Sequence, residues 1–199
     1  IAVSMLLAYP LAYILACRVP PRWQRVALIL AVLPFWTSYV VRSYSWLLVL
    51  APNGVVNQAL MALGLTDAPL RLAYNQGATV LGFVHFFTML TTLTIFASLR
   101  QIDPRWRLAA ADLGAGAVQT FLRVTLPLSL PGVMVGAFLT FVIAIGDYIT
   151  PQILGGNRDL VLPQAILMQI GRSNDLPLAS AMALVMMVVV GLAYLACAR

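Results

Sequence analysis

The sequence predicts an all-α membrane protein, a polytopic bundle of five membrane-crossing helices, and three observations predict it. Hydrophobic residues make up 62% of the 199 positions and charged residues only 9%, with a mean hydropathy of +0.94. An ordinary soluble domain carries roughly 25% charged residues, so this chain lacks the polar surface to cover a globule in water. The apolar residues also fall in long unbroken runs, which selects helices of about 20 residues over barrel strands of about ten with alternating polarity. The arginines, finally, lie between those runs rather than in one patch. A soluble enzyme, a secreted module and a disordered chain are excluded. The net charge of +6 reads as basic membrane loops and not as a nucleic-acid footprint.

The first apolar segment covers residues 1–17. It begins at Ile1 without an initiator Met, inside an apolar run, and is expected to continue from a longer polypeptide with at least one earlier helix. It lacks the basic leader and small-residue cleavage site of a signal peptide. The second segment, 26–50, contains Pro34 and should bend there, because neighbouring helices can satisfy the freed carbonyl. The third runs over 78–99, the fourth over 131–150 and the fifth over 178–198. Between the second and third, Asn53-Gly54 marks a turn, and the apolar stretch 55–65, closed by Gly64, reads as a short interfacial helix. After the fourth, Gly155-Gly156-Asn157 marks another turn and 160–170 another short helix.

Residues 100–130 form the most patterned loop. Asp103 is placed to cap a helix over 105–113 with Pro104 in its first turn. Gly114 and Gly116 should break that helix with a left-handed turn. A second short helix, 118–126, should stop before Pro127; its apolar Val118, Phe121, Leu122 and Val124 alternate with Gln119, Thr120 and Arg123. Caps, breaker and prolines over thirty residues exceed what a connector needs and suggest docking to a soluble partner.

Charge orients the bundle. All twelve basic residues are Arg and all six acidic ones Asp. One face collects Arg18, Arg22, Arg25, Arg100, Arg105, Arg107, Arg123 and Arg199 with Asp103 and Asp112. The other collects Arg42, Arg71, Arg158 and Arg172 with Asp67, Asp147, Asp159 and Asp175. The first face keeps the whole excess of +6, so it is expected to be cytoplasmic. Cys17 and Cys197 are too few for a disulfide framework and read as reduced, packed thiols.

The stretch Ala109-Ala110-Ala111-Asp112-Leu113-Gly114, followed after nine residues by Val124-Thr125-Leu126-Pro127 and then by Leu130-Pro131-Gly132, resembles the EAA loop of binding-protein-dependent ABC importer permeases. The family's Glu falls on Leu108 here, so its carboxylate contact is absent. Three further stretches are similar to the spermidine/putrescine branch of that family: Tyr9-Pro10-Leu11-Ala12-Tyr13, Leu33-Pro34-Phe35-Trp36-Thr37-Ser38 through Val41-Arg42-Ser43-Tyr44-Ser45-Trp46, and Gly146-Asp147-Tyr148-Ile149-Thr150-Pro151 through Gly155-Gly156. The resemblance implies a type I importer permease fold, with 1–199 a single transmembrane permease domain and 100–130 its cytoplasmic coupling loop. It implies that Ala109, Ala110, Asp112, Gly114, Phe121, Arg123, Leu126 and Pro127 engage a separate ATPase. The implied partners are two ATPase copies that bind ATP and Mg, a second permease subunit, an external solute-binding protein and membrane lipid. The implied setting is the bacterial inner membrane, and the implied cargo a small organic cation moved by alternating access.

Candidate path residues are Asp147, Tyr148, Trp36 and Tyr44. A carboxylate beside hydrocarbon is costly unless paired or facing water. Asp147 therefore reads either as a structural ion pair, with Arg42 the obvious partner, or as an attractive site for a cationic amine, with Tyr148 adding a cation–π face. Trp36, Tyr39, Tyr44 and Trp46 read either as an interfacial belt or as lining of a cation path. His85 is read as a hydrogen-bonded packing residue, and Gly82, Gly136 and Gly146 as points of close helix approach. The sequence has no GxxxxGK[ST], no HExxH, no Cys/His cluster and no nucleophile–base pair, so neither ATP hydrolysis, a metal site nor catalysis by this chain is expected. A stand-alone channel or secondary transporter is the rival reading; inverted repeats or more intramembrane charges would favour it.

Overall fold

The computed structural model describes residues 1–156 and 160–197, together with every side chain in those ranges except that of Cys197. Asn157 of the expected turn, and Arg158, Asp159 and Arg199 of the charge tally, lie outside the described residues, as does the Cys197 thiol. Among the described residues the regular structure is entirely helical. In chain order the α-helices are α1 (Ala2–Cys17), α2 (Pro21–Val32), α3 (Tyr39–Leu50), α4 (Val55–Ala62), α5 (Gln76–Gln101), α6 (Pro104–Asp112), α7 (Ala117–Thr120), α8 (Leu126–Gly146), α9 (Ile149–Leu154), α10 (Leu162–Met168) and α11 (Leu176–Cys197).

The expectation of five crossing helices is corrected. Among the described residues, three helical stretches are long and apolar enough to cross a bilayer: Gln76–Gln101, Ala117–Gly146 and Leu176–Ala196. The interrupted pair Pro21–Trp36 and Tyr39–Ala62 would add a fourth if it is one span. The interruption has a local cause. Pro34 cannot donate to the helical ladder, and a 3-10 turn over Leu33–Trp36 tightens the chain there. Ser38 then takes extended backbone, φ −52° and ψ 134°. Proline and small hydroxyl residues both favour leaving the helix, so the bend becomes a break. Helix α1 is apolar but 16 residues long, short of the roughly 20 that reach across a hydrocarbon core.

The stop expected before Pro127 is also corrected, and with it the start of the fourth segment at 131. Helix runs from α7 through a five-residue π-helical turn, Phe121–Thr125, into α8 without a break. In the π turn the Leu126 N–H bonds the Phe121 carbonyl, five residues back. The extra residue restarts the ladder, so Pro127 falls in the first turn of α8, where a missing N–H costs little.

The described chain divides into two compact units. The first comprises Ile1–Trp36 and Phe86–Phe141. Its core joins Ala8 and Ala12 of α1, both fully buried, to Ile95 and Leu99 of α5. Small side chains also bring α8 onto α5: the buried residues of α8 include Ser129, Gly132, Gly136 and Thr140, one stripe at three- and four-residue spacing. The Thr140 and Thr91 hydroxyls lie 3.2 Å apart. A Cβ on Gly136 would sit 3.1 Å from the Thr91 methyl, so glycine permits this approach. Gln24 of α2 closes the end of α1 by donating from Nε2 to the Leu15 and Ala16 carbonyls at 2.8 and 3.2 Å.

The second unit comprises Thr37–His85 and the described residues from Val142 onward. Leu50, Ala78 and Leu154 are its buried apolar centre. A Cβ on Gly82 would come within 2.7 Å of the Leu154 side chain, so α5 and α9 meet there, whereas at Gly146 the nearest contact, Met186 at 3.8 Å, is an ordinary one. The segment linking α3 to α5 is latched by one side chain. Asn57, fully buried, donates from Nδ2 to the Ala51 and Leu70 carbonyls at 3.0 Å each and accepts the Leu70 N–H at 2.8 Å. His85 accepts the Trp46 indole N–H at Nδ1, 3.0 Å away.

Candidate coupling elbow and candidate solute cavity

The elbow belongs to the first unit and is built by its own sequence. Asp103 caps α6, its carboxylate accepting the Arg105 N–H at 2.9 Å, with Pro104 in the first turn. Gly114 ends the helix at φ +80°. Its N–H bonds the Ala111 carbonyl at 2.9 Å, and the next N–H, of Ala115, reaches the Ala110 carbonyl at 3.0 Å. These two crossed bonds are the Schellman closure, which satisfies the last carbonyls of a helix at a left-handed glycine. Gly116 does not share that role: its φ is −67° and it precedes α7.

The elbow leaves large apolar side chains in the open. Leu113 is 89% exposed, Val118 71% and Leu108 64%, with Trp106 beside them. Four such side chains on a capped, arginine-bearing turn form an apolar surface patch. Of the residues expected to engage an ATPase, Ala109, Asp112, Gly114, Arg123 and Pro127 are exposed, whereas Ala110, Phe121 and Leu126 are half-buried. Phe121 faces inward, its ring edge-to-face with Tyr9 and Tyr13 at 5.6 and 5.5 Å.

The second unit holds the polar cluster. Asp147 is 9% exposed and follows Gly146, the last residue of α8. Its Oδ1 accepts the Ile149 N–H at 2.8 Å and the Thr150 N–H at 3.3 Å, starting α9. Its Oδ2 accepts the Tyr39 hydroxyl, and Tyr39 in turn accepts the Thr150 hydroxyl at 2.8 Å. Arg42 lies next to this set, its guanidinium carbon 5.0 Å from the centre of the Tyr39 ring. Tyr39 was not singled out from the sequence as a partner for Asp147; 108 positions separate them, and only the fold brings them together.

Beside the cluster is a cavity of about 490 Å³ lined by Tyr44, Tyr74, Tyr148, Gln152 and apolar residues including Val40 and Leu47. Two of the candidate path residues, Tyr44 and Tyr148, thus share one cavity, and Tyr74 joins them. Tyr74 gave no motif to read; its φ of +57° in the turn before α5 is invisible in sequence. Trp36 belongs to the other unit and is 84% exposed. Three phenol rings and an amide offer cation–π faces and hydrogen bonds to an organic cation.

Comparison with known proteins agrees with this architecture. The sequence profile of the family "Binding-protein-dependent transport system inner membrane component" matches residues 8–199. The spermidine/putrescine transport system permease protein PotB of Escherichia coli (strain K12) is 31% identical over 188 residues, covering 94% of this chain and 68% of that protein. The inner membrane ABC transporter permease protein YdcU of the same organism is 34% identical over 204 residues, covering 97% and 64%. The chain spans about two thirds of the length of the curated relatives it matches, 65% for PotB of Salmonella typhimurium. A crystal structure of a bacterial ABC transporter involved in import of the acidic polysaccharide alginate superposes with a TM-score of 0.71 at 19% identity, over 100% of this chain and 78% of that one. A second alginate transporter structure, in complex with a pentasaccharide-bound periplasmic protein, gives a TM-score of 0.73 at 18% identity, over 98% and 69%. With its helical fold and nearly its whole length matched, this chain belongs to the family of binding-protein-dependent transport system inner membrane components, the permease family that its own loop motif resembles.

Proposed function

We propose that the chain is the permease subunit of an ATP-driven importer in a bacterial inner membrane, moving a small organic cation of the polyamine class by alternating access. The observation that carries this reading is the elbow: a capped, Schellman-closed turn displaying Leu108, Leu113, Val118 and Trp106. Such a surface suits the cleft of a separate ATPase, with two copies serving this chain and a second permease. Leu108, at the family's Glu position, makes the contact apolar where relatives use a carboxylate. ATP and Mg then belong to the partner. Closure of the ATPase pair on ATP pushes the elbow, and the free energy comes from differential nucleotide binding in the two states. An external solute-binding protein delivers the cation.

The cargo assignment is supported by the 31% identity to PotB and by the tyrosine-lined cavity of the second unit. In this reading Tyr44, Tyr74 and Tyr148 meet the cation, while Asp147 serves the chain by capping α9. The test is the chain co-expressed with its ATPase, partner permease and binding protein and reconstituted in liposomes. Spermidine or putrescine should stimulate ATP turnover and accumulate inside. A partly exposed cation–π contact is worth about 0.5–1 kcal/mol, so Tyr44→Ala and Tyr148→Ala should each reduce uptake at low cation about two- to fivefold. An assembled complex indifferent to every amine removes the cargo assignment. A chain that never co-purifies with an ATPase removes the permease role.

A further inference from the structure

The coupling role proposed above needs the elbow's displacement to reach the membrane helices, and that route passes through the π-helical turn Phe121–Thr125. A π turn carries one residue more than the α ladder and recurs at functional sites. Shifting that turn into α register would absorb about 1.5 Å of rise and about 100° of rotation. An unsecured turn would take up much of a push from the elbow before α8 moved.

One side chain secures both ends. Tyr9 of α1 sets its ring against Phe121, the first residue of the turn, at 5.6 Å and 86°. Its hydroxyl is 2.7 Å from the Ser129 Oγ, and Ser129, fully buried, donates to the carbonyl of Leu126 at 3.0 Å. Leu126 is the residue whose N–H closes the turn on Phe121. The Tyr9–Ser129–Leu126 chain thus returns to Phe121, enclosing the turn in a loop of contacts. Tyr13, one helical turn along α1, adds a second edge contact to Phe121 at 5.5 Å.

We infer that Tyr9 is a positioning residue that locks the π turn through Phe121 and Ser129, so that the elbow, α1 and the start of α8 move together. Tyr9 acts through the turn, by way of Phe121 and Ser129.

Two measurements test the lock. In the permease alone, in nanodiscs, amide hydrogen exchange over residues 122–126 should rise about 3- to 10-fold in Tyr9→Phe, the span expected from one lost hydrogen bond. No rise overturns the lock, whatever the elbow docks to. In liposomes holding the whole importer, spermidine taken up per ATP hydrolysed should fall about 3- to 10-fold in Tyr9→Phe and in Ser129→Ala, with co-purified ATPase unchanged. The double variant should be no worse than either single one, because both remove the same link. An unchanged ratio overturns the inference, and so does an additive double variant. If the unsubstituted permease binds no ATPase, the elbow reading fails instead, and hydrogen exchange still decides the lock.

Discussion

Replacing Gly114 with valine probes the elbow without touching the bundle. At φ +80° an L side chain sits in the left-handed region, which costs about 1–2 kcal/mol and more for a β-branched residue. No second cost is added, because a Cβ built on Gly114 meets nothing within 4 Å. The penalty therefore falls on the Schellman closure alone. Since about 1.4 kcal/mol is a factor of ten, the ratio of bent to unbent elbow should fall about 5- to 30-fold, and affinity for the ATPase by up to that factor. Asparagine tolerates the left-handed region, so Gly114→Asn should bind within about threefold of the unsubstituted chain. The assay titrates purified ATPase onto permease in nanodiscs, with thermal melting of the permease alone in parallel. Equal affinity for the valine and asparagine variants would refute the argument, and so would a lowered melting point for Gly114→Val.

Two further substitutions address the fold and the polar cluster. In Gly132→Val the new Cβ would lie 2.9 Å from the Ser98 hydroxyl and from the Thr94 carbonyl, both on α5; overpacking of this kind costs about 1–3 kcal/mol and should lower the melting point where Gly114→Val does not. Asp147→Ala removes the α9 cap and the acceptor of the Tyr39 hydroxyl proton, a loss of about 1–3 kcal/mol, whereas Asp147→Asn keeps an acceptor for the two N–H groups and a polar contact for Tyr39. Melting should follow that order; an alanine variant that melts normally yet imports nothing would place the carboxylate on the solute.

The elbow was legible because its determinants are local. Asp103, Pro104 and Gly114 each act within a few residues, so the cap, first turn and left-handed closure follow from spacing alone. The short helices after Gly54 and before Arg172 were legible for the same reason, as was the hydrogen-bonded role of His85. Pro127 misled, because one added residue in a π turn moves a proline from a forbidden position to a permitted one, and sequence carries no mark of that register. Pro34 misled in the opposite direction: proline alone bends an apolar helix, but with Thr37 and Ser38 following it the helix ends. Asp147 shows a different limit. Charge logic nominates Arg42, which lies beside the cluster, and overlooks the two backbone N–H groups and the Tyr39 hydroxyl that also hold the carboxylate, neutral donors that a count of opposite charges cannot register.

Asn57 has a consequence for any protein that lands on the segment between α3 and α5. Three bonds from one buried amide fix residues 51 and 70 to each other, so Val55, Leu63 and Leu65 are presented in the open from a backbone that is already ordered. Fastening a slack loop costs a visitor free energy for every residue it must still; here that ordering belongs to folding, and even a modest contact area can yield a usable affinity.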